Sequence, residues 1–184
     1  MIFKNKKRLI GIVLSALIIV PAALAVHLYR GLPDEPLAIG SRVPEFQVDP
    51  VRGAEPLKQQ GRRVLLFFRP SCSHCQATIA QFNQLRSTHP EWFSGDKALT
   101  WALISVSDEA ETNAFAESMP SWPIYQDRDR KAMTDLRAVG VPYLVLVDEK
   151  GIVQFRQTGQ RGPGQQEALL NSFYQTGVIT EDKR

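Results

Sequence analysis

The only two cysteines of the chain stand two residues apart, in Cys72-Ser73-His74-Cys75. Ahead of them the apolar run at residues 64–68 (VLLFF) reads as a buried strand, and Arg69-Pro70-Ser71 reads as a short turn. Behind them Ile79, Phe82 and Leu85 recur at spacings of three, the pattern of a helix face. A strand feeding a turn feeding a helix sets Cys72 at the helix N-terminus. There the unpaired backbone N–H groups and the positive end of the helix dipole favour a thiolate over a thiol. Cys75 falls about one helical turn further on, within reach of a disulfide. One turn of chain thus supplies an attacking thiolate and a resolving thiol, with Ser73 and His74 between them as the residues that can tune the pair.

Two plainer uses of a Cys pair compete with redox chemistry. Structural zinc takes four ligands, but the sequence holds no second Cys pair, and His27, His74 and His89 have no finger-type spacing to the cysteines. A disulfide kept only for stability closes so short a loop that it removes little entropy from the unfolded chain. Redox exchange is the expected use, with no metal and no other cofactor.

The elements that must position this pair follow a segment of another kind. Lys4, Lys6, Lys7 and Arg8 precede an uncharged apolar stretch at residues 9–26, long enough to cross a bilayer as a helix. The basic cluster stays in the cytoplasm and sends the C-terminal bulk across. The expectation is a single-pass inner-membrane anchor at residues 1–30 with the remainder in the periplasm. The alternative is a signal peptide cleaved after Ala25, at Ala23-Leu24-Ala25, with Pro21 breaking the hydrophobic run. Residues 31–40 (GLPDEPLAIG) read as a tether, and residues 41–180 as one domain of ordinary size. Two cysteines in an exported domain are too few for disulfide scaffolding, which leaves the pair free for chemistry.

The formal net charge of +3 comes from 22 basic and 19 acidic residues. Five of the basic residues and none of the acidic ones lie in positions 1–30, so the remainder carries 17 basic against 19 acidic residues. A domain without excess positive charge has nothing to hold phosphates in number, and nucleic acid is excluded as a partner.

The rest alternates between strand and helix. A short extended segment is expected at residues 45–48, a loop at 53–61, and a strand at 63–68 leading into the cysteine helix, which ends near His89-Pro90. A strand follows at 99–106. An amphipathic helix runs from Asp108 to Met119, with Ser107 as its cap and Glu109 and Glu111 in its first turn. Trp122-Pro123-Ile124-Tyr125 reads as extended, and residues 129–139 as another helix. Strands at 143–147 and 152–157 flank a turn at Asp148-Glu149-Lys150-Gly151, a hairpin signal. A last helix spans 164–175. This order implies an α/β sheet with helices on both faces.

With these stretches in view the chain resembles the thioredoxin superfamily, and within it the membrane-anchored TlpA/ResA-like thiol-disulfide oxidoreductases. The similar stretches come in order: Gly40-Ser41-Arg42-Val43-Pro44-Glu45-Phe46; the strand into CSHC; Ile104-Ser105-Val106-Ser107-Asp108; Tyr125-Gln126-Asp127; and Val139-Gly140-Val141-Pro142 leading into the strand that ends at Asp148. Together they cover about residues 40–178. The resemblance implies a thioredoxin fold with a central mixed sheet and a TlpA-like αβ insertion. It also implies a cis Val141–Pro142 bond lying against the cysteines, where the base rate for proline at a strand start favours trans. Val141 and Pro142 would then shape a groove for an extended substrate peptide beside Cys72.

The departures from that pattern bear on direction. The aspartate that thioredoxins carry six residues before the first cysteine is Leu66 here, the glutamate that ResA-like proteins carry six residues after it is Thr78, and the usual preceding tryptophan is Ser71. His74 in front of Cys75 resembles the CPHC of DsbA-type oxidants. A histidine there can stabilise the Cys72 thiolate by charge or hydrogen bonding, and a stabilised thiolate makes the disulfide more oxidising. The family resemblance implies a reductase, such as one serving cytochrome c maturation, with protein thiols or disulfides as substrates and a membrane electron-transfer partner. The local motif argues instead for a DsbA-like oxidant or isomerase. A peroxidase of the PxxxTxxC pattern is disfavoured by Arg69 at the threonine position. A Sco-like copper chaperone is disfavoured by CxxC in place of CxxxC.

Overall fold

Residues 63–68 are buried at all six positions, and they form the central strand β2 (Arg63–Phe68) of a six-stranded sheet. Val64, Leu66 and Phe68 face one layer of the core, and Leu65 and Phe67 the other. That two-sided burial is why the run is apolar without alternation. The computed structural model describes residues 36–52 and 54–179. The expected anchor and the first half of the tether lie outside these residues. Among the described residues no helix is long and apolar enough to cross a membrane.

In chain order the strands are β1 (Asp49–Pro50), β2, β3 (Thr100–Ser105), β4 (Ile124–Gln126), β5 (Tyr143–Val147) and β6 (Val153–Thr158). Their spatial order is β1-β4-β3-β2-β5-β6. β2 pairs in parallel with β3, and β3 with β4, whereas β1, β5 and β6 join antiparallel to their neighbours. The sheet is mixed, as expected. The first extended segment differs from expectation: an isolated bridge pairs Arg42 with Ile152, and the first strand begins at Asp49, not Glu45. Val43 and Phe46 are instead buried against the sheet face, and Pro50 sits on an edge strand, where a missing N–H costs no ladder bond.

The helices are α1 (Ser73–Thr88), α2 (Glu109–Ser118), α3 (Lys131–Asp135) and α4 (Pro163–Thr176). α1 and α4 cover one face through Ile79, Phe82, Leu85, Leu169, Leu170 and Phe173, and Ala116 of α2 joins the same layer. Trp92, Trp101 and Trp122 are buried in that layer too, and Phe82 meets the Trp101 ring edge-on at 5.1 Å. The opposite face has less helical cover than the alternation implies. Only the short α3, with Ala132 buried and Leu136 just beyond it, lies there, beside Leu37, Val43 and Phe46.

The helix expected over residues 129–139 is shortened at both ends. The Asp127 carboxylate accepts the N–H groups of Ala132 and Met133, each at 2.8 Å, and so fixes the start at Lys131 after a single 3₁₀ turn. Arg137, with φ of +50°, ends it in the left-handed region. The cap of α2 is Asp108, whose Oδ1 accepts the Glu111 N–H at 2.8 Å, and not Ser107. The hairpin between β5 and β6 is closed by Asp148, whose Oδ1 accepts from the N–H groups of Lys150 and Ile152, with Gly151 at φ +77°.

Candidate active site

The end of β2 delivers Phe68 into a tight turn that the Cys72 N–H closes on the Arg69 carbonyl at 3.1 Å. Gln76 reaches back from α1 to tie the same turn, its Nε2 donating to the Pro70 carbonyl at 2.7 Å. Cys72 is then the N-cap of α1, in extended conformation (φ −83°, ψ 116°). Its Sγ takes the place of a capping oxygen and accepts the Cys75 N–H at 3.4 Å. Cys72 is half-buried, Cys75 is fully buried, and both are thiols.

This geometry splits the two sulfurs. Burial works against the Cys72 thiolate, but the thiol and N–H of Cys75, the His74 N–H and the Arg69 charge outweigh it and hold the Cys72 pKa below the ordinary thiol value. Burial first, and the neighbouring Cys72 sulfur second, push Cys75 up to about 12. No acidic side chain lies in the first turn of α1 to oppose the thiolate. Leu66 and Thr78, at the two positions where the resembling proteins carry carboxylates, are both buried, and the Thr78 hydroxyl donates to the His74 carbonyl at 2.9 Å.

The residues between the sulfurs take unequal parts. Ser73 is exposed at the start of α1. The His74 backbone N–H favours the Cys72 thiolate, whereas its imidazole is engaged elsewhere, with Nδ1 3.2 Å from Gln160 Oε1. The Val141–Pro142 bond is cis. Val141, Pro142 and His74 line one cleft of about 400 Å³ together with the loop at 159–162. The fold thus gathers Cys72, Cys75, His74, Val141 and Pro142 at one end of the sheet.

Two charged residues of this site are not singled out by sequence motif. Arg69 stands before the cysteines and favours the thiolate form of both. Glu111 reaches across from α2, and its Oε1 accepts the Ser71 N–H at 3.0 Å; the hydroxyls of Ser107 and Ser71 hold its carboxyl below the usual range. Arg69 is legible as a cation next to a thiol. Glu111 is not, because forty residues of chain separate it from Ser71. Among the described residues no three His, Cys, Asp or Glu side chains come together as a metal site.

The model of the AhpC/TSA family matches residues 39–156, more than half of the chain. The chain belongs to the AhpC/TSA family. No curated protein sequence matches it. Among solved structures it is similar to a Chlorobium tepidum protein assigned as the thiol:disulfide interchange protein DsbE. The two share 20% identity at a TM-score of 0.62, over 74% of this chain and 96% of that one. StoA from Bacillus subtilis matches at 19% identity and a TM-score of 0.56, over 70% and 98% of the two chains. The thioredoxin domain of a thiol-disulfide oxidoreductase from Bacteroides vulgatus matches at 20% identity and a TM-score of 0.59, over 75% and 99%. These likenesses establish a thioredoxin-like fold for this AhpC/TSA family member.

Proposed function

We propose that the protein is a thiol-disulfide oxidoreductase of the TlpA/ResA type, held at the inner membrane by residues 1–30 and reducing disulfides of exported proteins in the periplasm. The observation that carries the reading is the division of labour between the sulfurs. Cys72 is accessible and held below the ordinary thiol pKa, while Cys75, one turn away, is buried with its pKa raised to about 12. The names of the structural neighbours, an interchange protein and an oxidoreductase, point the same way.

In the proposed cycle the Cys72 thiolate attacks one sulfur of a substrate disulfide. A new S–S bond forms, the substrate S–S bond breaks, and the leaving substrate thiolate takes up a proton. Cys75 gives up its proton and attacks Cys72 Sγ, which releases the second substrate sulfur as a thiol. The substrate has gained two electrons and two protons, and the enzyme holds a Cys72–Cys75 disulfide. A dithiol donor, in this reading a membrane electron-transfer partner, restores the reduced state. Val141 and Pro142 form the wall against which the substrate chain lies.

The same exchange run backwards is an oxidation, and one observation favours that DsbA-like direction. With Leu66 and Thr78 in place of carboxylates, no carboxylate among the described residues acts on Cys75 to take its proton, while Cys72 is stabilised as a thiolate. Equilibrating the full-length protein with glutathione decides between the two. A potential near the thioredoxin value of about −270 mV supports the reductase, and one near the DsbA value of about −120 mV the oxidant. Placement is tested separately: the anchored form stays with membranes and exposes its C-terminus to protease from the periplasmic side, whereas a soluble product beginning at Val26 marks cleavage.

A further inference from the structure

The cleft lined by His74, two residues from Cys72, and by Val141 and Pro142 holds one formally charged lining residue, Arg161, and no carboxylate. Arg161 is half-buried and fixed in place. Its Nε donates to Gln157 Oε1 at 2.8 Å, its guanidinium lies 4.9 Å from the centre of the Phe155 ring, and its carbonyl accepts Gln81 Nε2 at 3.1 Å. A guanidinium already held this way loses little freedom when it binds, and its fork suits a carboxylate. Among the described residues three arginines are held by carboxylates, Arg52 by Glu117, Arg62 by Glu149, and Arg128 by Asp49 and Glu109, whereas others, Arg69 and Arg86 among them, are not. Arg161 has no such partner there either, and what sets it apart is its place in the cleft.

Its surroundings add to the positive potential. α4 begins directly after it, with Gly162 as a cap that offers no side-chain hydrogen bond and no acidic residue in its first turn, so the positive end of a 14-residue helix is left uncompensated beside the cleft. Gly159 has open space where a Cβ would stand, which leaves room for a chain to approach the loop backbone. The lining is completed by His74, tied to Gln160, with Val141 and Pro142.

We propose that this cleft selects extended polypeptide segments that carry an aspartate or glutamate near the reacting cysteine, with Arg161 as the group that receives the carboxylate. The proposal rests on the thiol-disulfide reading above and names its substrate class. Apolar contact with Val141 and Pro142 would align the segment, and the ion pair would choose among segments. A single ion pair at a half-exposed site is worth about fivefold in rate at low salt, and less as salt is added.

The test uses the full-length reduced protein and three disulfide-linked peptides that differ only in the residue flanking the cysteine: Glu, Gln or Lys. Second-order rate constants are read at low and high salt for the wild type, Arg161→Gln and Arg161→Glu, with the neutral hydroxyethyl disulfide as a substrate lacking any side chain. The expected wild-type order is Glu over Gln over Lys, narrowing in high salt, flattened in Arg161→Gln and reversed in Arg161→Glu. Equal wild-type rates for the three peptides, or an order that persists in Arg161→Glu, overturn the acidic preference alone. Failure of the wild type to exchange with the Gln peptide and with hydroxyethyl disulfide overturns the oxidoreductase reading, and the preference with it. The wild-type series and its salt dependence stand even if a variant folds poorly.

Discussion

His74 acts on Cys72 through its backbone, and two substitutions at that position separate backbone from side chain. His74→Pro deletes the N–H that favours the Cys72 thiolate, while His74→Ala keeps it and removes only the imidazole, which is engaged with Gln160. Position 74 is the second residue of α1, where a missing N–H costs the helix no internal bond, so proline is tolerated there. A hydrogen bond to a charged acceptor is worth about 1.5–3 kcal/mol. Cys72 is half-buried, so solvent replaces part of the loss, and roughly one pKa unit, about 1.4 kcal/mol, is a fair expectation. Destabilising only the thiolate disfavours the reduced form, so the same change makes the reduction potential more negative by about 30 mV. The assay follows thiolate absorbance against pH and equilibrates each protein with glutathione. The expected result is a higher Cys72 pKa and a lower potential in His74→Pro, with His74→Ala within about 0.3 units of wild type. A shift in His74→Ala as large as in His74→Pro would refute the backbone argument and return the effect to the imidazole.

Arg69→Gln should raise the pKa of Cys72 and slow its alkylation by iodoacetamide near neutral pH, whereas Arg69→Lys should restore most of the rate; equal rates in all three proteins would show that the Arg69 charge does not reach the sulfur. His89 gives a pH dependence to stability. Its pKa is raised, chiefly by Glu167 at 2.9 Å and then by Glu91 at 3.3 Å, with its ring stacked on Trp92 at 4.0 Å. A raised folded pKa means stabilisation that is full below the unfolded value of about 6.5 and is lost as pH rises through the folded value. Melting curves should therefore show wild type more stable than His89→Gln at pH 5.5, with the ionic part of the gap, up to about 1 kcal/mol for so exposed a pair, gone by pH 8.5 and only the pH-independent loss of Trp92 stacking left.

The cysteine unit was the most legible part of the molecule because its information is local. A buried run, a turn and a helix period all lie within residues 63–88, and the structure places β2 and α1 there. The strands β3, β5 and β6 were legible for the same reason. The helix over 129–139 misled because apolar periodicity does not encode a carboxylate from outside the helix: Asp127 reset the start, and a left-handed Arg137 the end. The part His74 takes was only partly legible. Its place beside Cys75 is local, but where its ring points depends on Gln160, far along the chain. Glu111 on the Ser71 N–H and Arg161 in the cleft are likewise products of tertiary packing, and no spacing rule reports them.

Trapping of mixed disulfides tests the division of roles between the sulfurs most directly. Full-length Cys75→Ser, incubated with a disulfide-bonded protein substrate and quenched with acid, should accumulate a covalent adduct through Cys72, because the accessible thiolate still attacks and nothing resolves the product. Cys72→Ser should accumulate little or none, since Cys75 is fully buried and its pKa stands at about 12. Adducts on non-reducing gels that appear with Cys75→Ser and vanish with reductant are the expected result. Equal trapping by both variants, or trapping by Cys72→Ser alone, would contradict the assignment of Cys72 as nucleophile and Cys75 as resolving thiol.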